Sequence, residues 1–128
     1  MVALARAGLP NEVCGYLAGT TGKPVTVLGV HPVLNSLNSP TAFALDGQTM
    51  IDAEARIDRL GQEIIGVFHS HPAGPARPSE RDRRDASVYD PAGHFLHLIV
   101  SLCDDEADVR AWQFIGDTPI EVGLLDGR

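Results

Sequence analysis

The sequence predicts a single α/β domain whose sheet contains both parallel and antiparallel strands. Its 128 residues are the size of one ordinary domain, and 44% of them are hydrophobic, which is enough to bury a core. Segments with strand patterns alternate with segments of helical periodicity, while some connections are as short as hairpin turns. No repeat, low-complexity tract or linker divides the chain, so we predict one domain over residues 1–128.

The first 45 residues are predicted to form a short helix followed by an antiparallel pair of strands. The helix ends at Gly8, since Pro10 follows closely and cannot continue it. Two β-rich runs are joined by Gly19–Gly22, a sequence typical of a hairpin. The predicted elements are a helix over 1–8, strands over 13–18 and 25–30, a loop over 35–40 and a brief strand over 42–45.

An apolar stripe predicts an amphipathic helix in the middle of the chain, ended by Gly61. The stripe recurs every three or four residues and consists of Met50, Ala53, Ile57 and Leu60. The next run, 64–68, is apolar and short enough to be a buried strand.

Prolines and a glycine exclude regular structure from residues 72–78, and a helix begins after them. We expect this helix to start at Ser79 and to continue to about Val88. The strands that complete the sheet are predicted over 95–102, 109–115 and 120–125.

The charge balance argues against nucleic acid as a partner. The chain has 17 acidic and 10 basic side chains, a net charge of −7, whereas nucleic-acid binding needs a clustered basic face. The cluster of four arginines is interleaved with acidic residues; the arginines are Arg77, Arg81, Arg83 and Arg84.

The sequence favours a reduced cytoplasmic protein that binds no membrane. Its longest apolar runs are far shorter than the roughly 20 residues of a membrane span, and no signal peptide is evident after Met1. The two cysteines, Cys14 and Cys103, form no CxxC pair or disulfide framework. Cys14 lies in an apolar strand run, where a buried, unreactive thiol is expected.

The chemistry of the chain is concentrated in the segment 66–82. His69 and His71 are two residues apart at the end of an apolar strand, so both imidazoles point to the same face of the sheet. The proline-rich loop returns the chain to a helix whose first turn carries Asp82. Two histidines and one carboxylate leave a fourth tetrahedral position open, which is the pattern of a catalytic zinc ion.

Each of these residues also has a purely structural interpretation. A His-x-His pair is more often exposed or hydrogen-bonded than metal-bound, and Ser79 with Asp82 forms a variant of the capping box that begins a helix. Glu12, taken alone, is best explained as a solvated loop acid. His97 alternates with apolar residues in a strand and is expected to be a core or edge histidine.

The complete string resembles the signature of the JAMM (MPN+, or JAB domain) metalloproteases. His-x-His, seven residues, Ser, two residues and Asp run without a gap from His69 to Asp82. That family also carries a glutamate at or before its first strand, which Glu12 matches within Asn11–Gly19. The phrase Asn38–Phe43 is similar to the central loop of the family. The resemblance implies the JAB/MPN fold, which is cytidine-deaminase-like, with a mixed curved β-sheet flanked by helices.

The resemblance also implies a role for each residue of the motif. His69, His71 and Asp82 would bind one zinc ion, and Glu12 would act first as general base and then as general acid. Ser79 would donate its hydroxyl to the oxyanion of the reacting amide. Ser70 faces away from the ligands by strand alternation, so we expect a structural role for it.

The best-known members of this family are isopeptidases that remove ubiquitin-like proteins. The chain lacks the long insertions of linkage-specific relatives, and compact relatives are associated with sulfur carriers ending in Gly-Gly. We therefore expect hydrolysis of a peptide or isopeptide bond after the C-terminal Gly-Gly of a ubiquitin-like or sulfur-carrier protein. The Gly-Gly tail is expected to lie as an added strand along an edge near the zinc ion. A homodimer is compatible with the sequence.

Three other functions belong to different classes, and the third of them, use of the fold as a peptidoglycan or phage-tail peptidase, has no partner domain or export signal in its favour. The first is a RadC-like protein of DNA metabolism, but those proteins typically carry His-Asn-His and Pro-Ser-Gly where this chain has His69-Ser-His71 and Pro72-Ala-Gly74. The second is a binding module that keeps the fold without proteolysis. The presence of all five expected polar residues disfavours the second function.

Overall fold

A twisted sheet of six strands organises the molecule, and residues 1–22 and 24–124 are described by the computed structural model. The strands lie in the order β2-β1-β3-β4-β5-β6. The elements along the chain are α1 Val2–Gly8, β1 Cys14–Thr20, β2 Thr26–Val33, α2 Gly47–Arg59, β3 Glu63–His71, α3 Glu80–Tyr89, β4 Leu96–Ser101, β5 Asp108–Ile115 and β6 Thr118–Val122. In this part of the chain, no helix is long and apolar enough to cross a membrane.

The sheet is mixed, which confirms the predicted fold class. Strands β3 and β4 are parallel and are connected through α3, whereas every other neighbouring pair is antiparallel. In the parallel pair, His69 lies opposite Ile99 and His71 lies opposite Ser101. The two histidines therefore stand at the carboxyl end of a central strand, and the connection to α3 begins directly beside them.

Helices cover both faces of the sheet and bury two apolar clusters. On one face, Ala53 and Ile57 of α2 pack against strand residues that include Tyr16 and Val67. On the other face, Leu4 of α1 packs against a cluster around Leu17, Phe68 and Leu98. The predicted stripe of α2 is thus confirmed at its centre. Leu60, however, is the C-cap residue and is exposed.

Helix α2 begins three residues before the apolar stripe because Asp46 caps it. The Asp46 carboxylate accepts a hydrogen bond from the Thr49 backbone N–H at 3.0 Å, which satisfies one of the free donors of the first turn. Helix α3 is capped by Ser79, as the sequence predicts.

The prediction of a strand over 42–45 is wrong. Only an isolated bridge between Asn35 and Leu45 forms there. The Asn35 side-chain amide donates to the Ala42 carbonyl at 3.0 Å, and its carbonyl accepts from the Ala44 N–H at 3.1 Å. A single side chain thus replaces the ladder of a neighbouring strand.

The last strand begins earlier than its apolar residues indicate. Ile115 pairs with Thr118 across a two-residue turn in which Gly116 has φ of 65°, a conformation that glycine adopts without a steric penalty. Strand β6 therefore covers Thr118–Val122 rather than 120–125, and the end of the predicted strand, Leu125, lies outside the described residues.

Candidate metal centre

Three candidate ligand atoms meet at the end of β3. Strand alternation places His69 and His71 on one face, and the loop after β3 brings the first turn of α3 over them. The Nε2 atoms of His69 and His71 are 3.1 Å apart. Asp82 Oδ2 lies 3.1 Å from the first and 3.0 Å from the second. The structure therefore brings together the three residues that the sequence predicts as ligands.

This triangle fits three corners of a tetrahedral zinc site. Zinc–ligand bonds of about 2.0–2.1 Å give a tetrahedron with edges of about 3.3 Å, close to the three distances observed here. The His71 Nδ1–H donates to the Pro75 carbonyl at 2.7 Å, so in neutral His71 the lone pair of Nε2 faces the triangle. The donor set of two imidazoles and one carboxylate is also one that catalytic zinc sites use.

Asp82 and His71 stabilise each other's charged forms when no cation is present. Burial raises the pKa of Asp82, but hydrogen bonds from His69 and His71 outweigh it, and the pKa falls far below the usual range. Burial lowers the pKa of His71, whereas its bonds to Asp82 and Pro75 raise it, and the pKa lies above its ordinary value. The site is therefore anionic at its carboxylate corner, which suits a divalent cation.

Glu12 is buried beside this triangle rather than solvated. Its backbone N–H donates to the Ser39 carbonyl at 2.9 Å, and its own carbonyl accepts from Asn35 Nδ2 at 3.1 Å. These bonds fix the segment before β1, and the side chain is only 5% exposed. Among the described residues its Oε1 atom has no hydrogen-bond partner. Burial raises the pKa of Glu12 to about 7, in the range suited to a general base at neutral pH.

Ser79 borders the same cavity as Glu12 and His71 and also caps α3. Its Oγ accepts a hydrogen bond from the Asp82 N–H at 3.1 Å, and its backbone N–H donates to Asp82 Oδ2 at 2.9 Å. Because the capping bond uses a lone pair of Oγ, the hydroxyl proton remains available for another acceptor. The capping and substrate-directed interpretations of Ser79 are therefore compatible.

Comparison with known proteins decides the family. The sequence model of the prokaryotic homologs of the JAB domain matches residues 1–115. The chain belongs to this family. A desampylase from Haloferax volcanii is 34% identical over 109 residues, which cover 84% of this chain and 73% of the relative. A CysO-cysteine peptidase from Mycobacterium tuberculosis is 32% identical over 115 residues, which cover 90% and 76%. These names confirm the prediction that the JAB domain described here belongs to a family of hydrolytic enzymes.

Solved structures confirm the predicted fold. A protein from Desulfitobacterium hafniense, determined in solution, has a TM-score of 0.86 and 35% identity and covers 98% of this chain and 84% of its own. A JAB1/MPN domain protein from Archaeoglobus fulgidus, at 19% identity, shares the fold with a TM-score of 0.56, over 96% of this chain and 86% of its own.

The remaining predicted polar residues of the JAB domain are structural. Ser70 is fully buried on the opposite face, and its Oγ accepts from the Val13 N–H at 2.8 Å. Cys14 is buried, and burial raises the pKa of its thiol to about 12, as expected for an unreactive cysteine. His97 is buried in the core and donates from Nε2 to Asp90 at 2.9 Å. These positions confirm the expectations for all three residues.

Sequence reasoning missed the groups that position the candidate ligands and the loop beside them. The Phe43 ring stacks on His69, with ring centroids 4.5 Å apart. Ser101 Oγ donates to the Gly74 carbonyl at 2.6 Å, and Trp112 Nε1 donates to the Ala76 carbonyl at 3.0 Å. Phe43 lies within the phrase that resembles the family's central loop, but nothing local to Ser101 or Trp112 indicates that they contact this loop.

Proposed function

We propose that the chain is a zinc-dependent hydrolase that cleaves the amide bond after the C-terminal Gly-Gly of a ubiquitin-like or sulfur-carrier protein. The observation that carries the proposal is one arrangement of side chains. A triangle of ligand atoms with edges of 3.0–3.1 Å lies beside a cavity that Glu12 and Ser79 share with His71. A metal position, a base and a hydroxyl donor around one cavity are the groups that hydrolysis of an unreactive amide requires.

His69, His71 and Asp82 would hold the zinc ion. When bound, zinc lowers the pKa of a coordinated water to about 7 and polarises the carbonyl to be attacked. The buried carboxylate of Glu12 would take the proton from the attacking water and later deliver it to the leaving amine. The free hydroxyl proton of Ser79 would be donated to the developing oxyanion.

The names of the relatives support the substrate class. One relative is named a desampylase, and another is named a peptidase of CysO-cysteine, so both names refer to the cleavage of an attached group. We propose that the Gly-Gly tail lies in extended form beside Phe43. The sheet's edge strands β2 and β6 carry none of the three candidate ligands, which favours a contact with this irregular segment over a contact with an edge strand. Among the described residues, none forms a hydrogen bond with the backbone of Phe43, which leaves that backbone free to pair with a tail.

The first test measures cleavage directly. CysO and ubiquitin are each fused so that a reporter follows Gly-Gly, incubated with the zinc-loaded protein and weighed by intact-mass spectrometry. Cleavage after the second glycine is expected, and it should disappear with a zinc chelator and with Glu12→Gln. Absence of cleavage from every fusion by fully zinc-loaded protein would contradict the proposal and favour a binding module.

The second test measures the metal without turnover. Asp82→Ala removes one of three protein ligands, so its zinc affinity should fall by well over tenfold in a competition titration. Asp85→Ala is the matched control, since Asp85 lies on the same helix with its side chain paired to Arg81. Equal zinc affinity in the two variants would remove Asp82 from the ligand set.

The homodimer and the cytoplasmic location stay predictions, the first to be tested by light scattering.

A further inference from the structure

We propose that Arg77 selects substrates whose leaving group carries a free carboxylate, that is, an amino acid joined to the carrier through its α-amine. The inference rests on the proposed function and names its leaving group. It is carried by the position of Arg77 on the cavity that holds Glu12, by the fixed loop that presents it and by its unpaired charge.

The cavity is small, and one arginine borders it. It encloses about 220 Å³ between the loop 72–79 and the segment Pro40–Thr41. Glu12, His71, Ser79 and Arg77 all border it; Glu12 and His71 are buried, whereas Ser79 and Arg77 are exposed. This volume is below the roughly 300–1,000 Å³ of typical ligand clefts, so it suits a single residue rather than a folded segment.

Glu12 identifies this cavity as the side of the leaving group. In the proposed hydrolysis, water adds to the carbonyl carbon, the C–N bond breaks and a proton must reach the departing nitrogen. The carboxylate that supplies this proton has to lie beside that nitrogen. Glu12 also borders another cavity, of about 460 Å³, but that cavity includes neither the candidate metal ligands nor Ser79. The cavity of about 400 Å³ against Phe43, Val88 and Tyr89 does not include Glu12. The cavity against Phe43 is therefore left for the carrier side of the bond.

The loop that carries Arg77 is held by three consecutive carbonyl groups. The Gly74 carbonyl accepts from Ser101, the Pro75 carbonyl from His71 and the Ala76 carbonyl from Trp112. The Arg77 N–H itself donates to the Pro75 carbonyl at 2.8 Å. The backbone position of Arg77 is thus fixed from both β4 and β5, so that the base of its side chain is held beside the cavity while the residue itself is exposed.

The charge of Arg77 is not used within the described part of the molecule. No acidic side chain there lies within ion-pair distance of it, whereas Arg81 pairs with Asp85 and Arg110 pairs with Asp108 and Glu121. Its neighbours in sequence, Ala76 and Pro78, are uncharged. In a chain of net charge −7, an unpaired guanidinium beside the reacting centre is suited to a carboxylate, which it can bind through two parallel hydrogen bonds.

The leaving group can be an amino acid joined through its α-amine or a lysine joined through its ε-amine, and the two differ in what lies next to the departing nitrogen. An amino acid joined through its α-amine places its carboxylate two bonds from the departing nitrogen. A lysine joined through its ε-amine places an uncharged methylene chain there instead. Hydrolysis of the first consumes one water and gives a carrier ending in a glycine carboxylate and a free amino acid. An arginine whose backbone is fixed beside the cavity therefore favours the amino acid that is joined through its α-amine.

The test compares two carriers that differ only in this carboxylate. CysO ending in Gly-Gly is extended by one alanine, either as the free acid or as the C-terminal amide. Binding to the zinc-loaded Glu12→Gln protein is measured by isothermal titration, which does not depend on turnover. We expect the acid to bind about tenfold more tightly than the amide. Adding Arg77→Gln should abolish this preference, while adding Arg59→Gln, which replaces an exposed arginine of α2, should preserve it.

Rates give an independent comparison with the catalytic glutamate in place. Arg77→Gln should raise KM for the acid by about the same factor and leave kcat and the amide unchanged, because the carboxylate does not react. Equal binding of acid and amide, absence of binding by either, or a preference that survives Arg77→Gln overturns the inference. Absence of cleavage by the zinc-loaded protein, with the binding preference intact, instead overturns the proposed function alone.

Discussion

At the scale of the residue, one oxygen of Asp82 takes part both in the capping box of α3 and in the triangle with His69 and His71. Its Oδ2 accepts the Ser79 backbone N–H that closes the capping box and also faces both imidazoles at 3.0–3.1 Å. The structural and functional interpretations of Ser79 and Asp82 therefore describe the same geometry. The spacing Ser-x-x-Asp fits both purposes, because the third residue after the cap turns its carboxylate back towards the helix start.

Substitution of Ser79 separates its two roles. Ser79→Ala should lower kcat by about 10²–10³ through loss of the hydroxyl donor, and should cost about 1 kcal/mol of folding free energy through loss of the cap. Steady-state kinetics and urea unfolding measure the two effects. Asp46→Ala removes the cap of α2 and serves as control, with a similar loss of stability and an unchanged kcat. An unchanged kcat in Ser79→Ala would show that Ser79 acts only as the N-cap of α3.

The raised pKa of Glu12 makes stability depend on pH. The folded protein holds the proton to about pH 7 and the unfolded chain only to about 4.5, so folding is favoured at low pH and this contribution is lost as pH rises through 7. Between pH 8 and pH 5, zinc-free wild-type protein should gain as much as about 2.5 kcal/mol relative to Glu12→Gln. Urea unfolding with a chelator measures the difference, and a pH-independent difference would contradict the burial of Glu12.

At the scale of the element, β3 carries two candidate metal ligands on one face and a serine with a structural hydrogen bond on the other. His69 and His71 point towards α3, while Ser70 between them is buried on the opposite side and accepts from the Val13 N–H. Val13 follows Glu12 directly, so a single strand positions two candidate ligands on one face and, through Ser70, the segment that carries Glu12.

Loss of the Ser70 hydroxyl should therefore affect both stability and rate. Ser70→Ala leaves the Val13 N–H without its acceptor, which should cost about 1–3 kcal/mol in urea unfolding. It should also lower kcat, because Glu12 loses part of its positioning. Ser87→Ala, at an exposed hydroxyl of α3, should change stability by less than about 0.5 kcal/mol. A Ser70→Ala protein as stable as Ser87→Ala would show that this bond is dispensable.

The elements could be predicted where the signal is local. Apolar periodicity located α2, and proline and serine located the start of α3. The failed strand over 42–45 depends on Asn35, whose side chain satisfies a backbone seven to nine residues away, and no local pattern reveals such a bond. The early start of α2 could have been found from Asp46, because an acidic N-cap is a local signal.

At the scale of the whole molecule, the site joins regions that are distant in sequence. Glu12 precedes β1, the candidate ligands lie on β3 and α3, and the loop between these two elements is held by Ser101 and Trp112 from β4 and β5. The motif spacing could predict that the three candidate ligands meet, and the family resemblance could predict that Glu12 belongs to the same site. The supports of the loop could not be predicted, because they depend on the order of strands in the sheet.

Metal binding should consequently stabilise the entire fold. Zinc that binds only the folded chain adds about 2.7 kcal/mol when its free concentration is a hundred times the dissociation constant. The urea midpoint of wild-type protein should therefore fall when a chelator is added, whereas that of Asp82→Ala should change little under the same conditions. A chelator effect of equal size in both proteins would indicate a metal site elsewhere.

The shared oxygen of Asp82 also provides a natural spectroscopic reporter. The Ser79 amide proton points at the same atom that the cation would use, at an N–O distance of 2.9 Å. A cation that withdraws electron density from that oxygen weakens this hydrogen bond and moves the amide resonance. One peak in a nitrogen–proton correlation spectrum would then report metal occupancy, without a dye, a substrate or a change to the sequence.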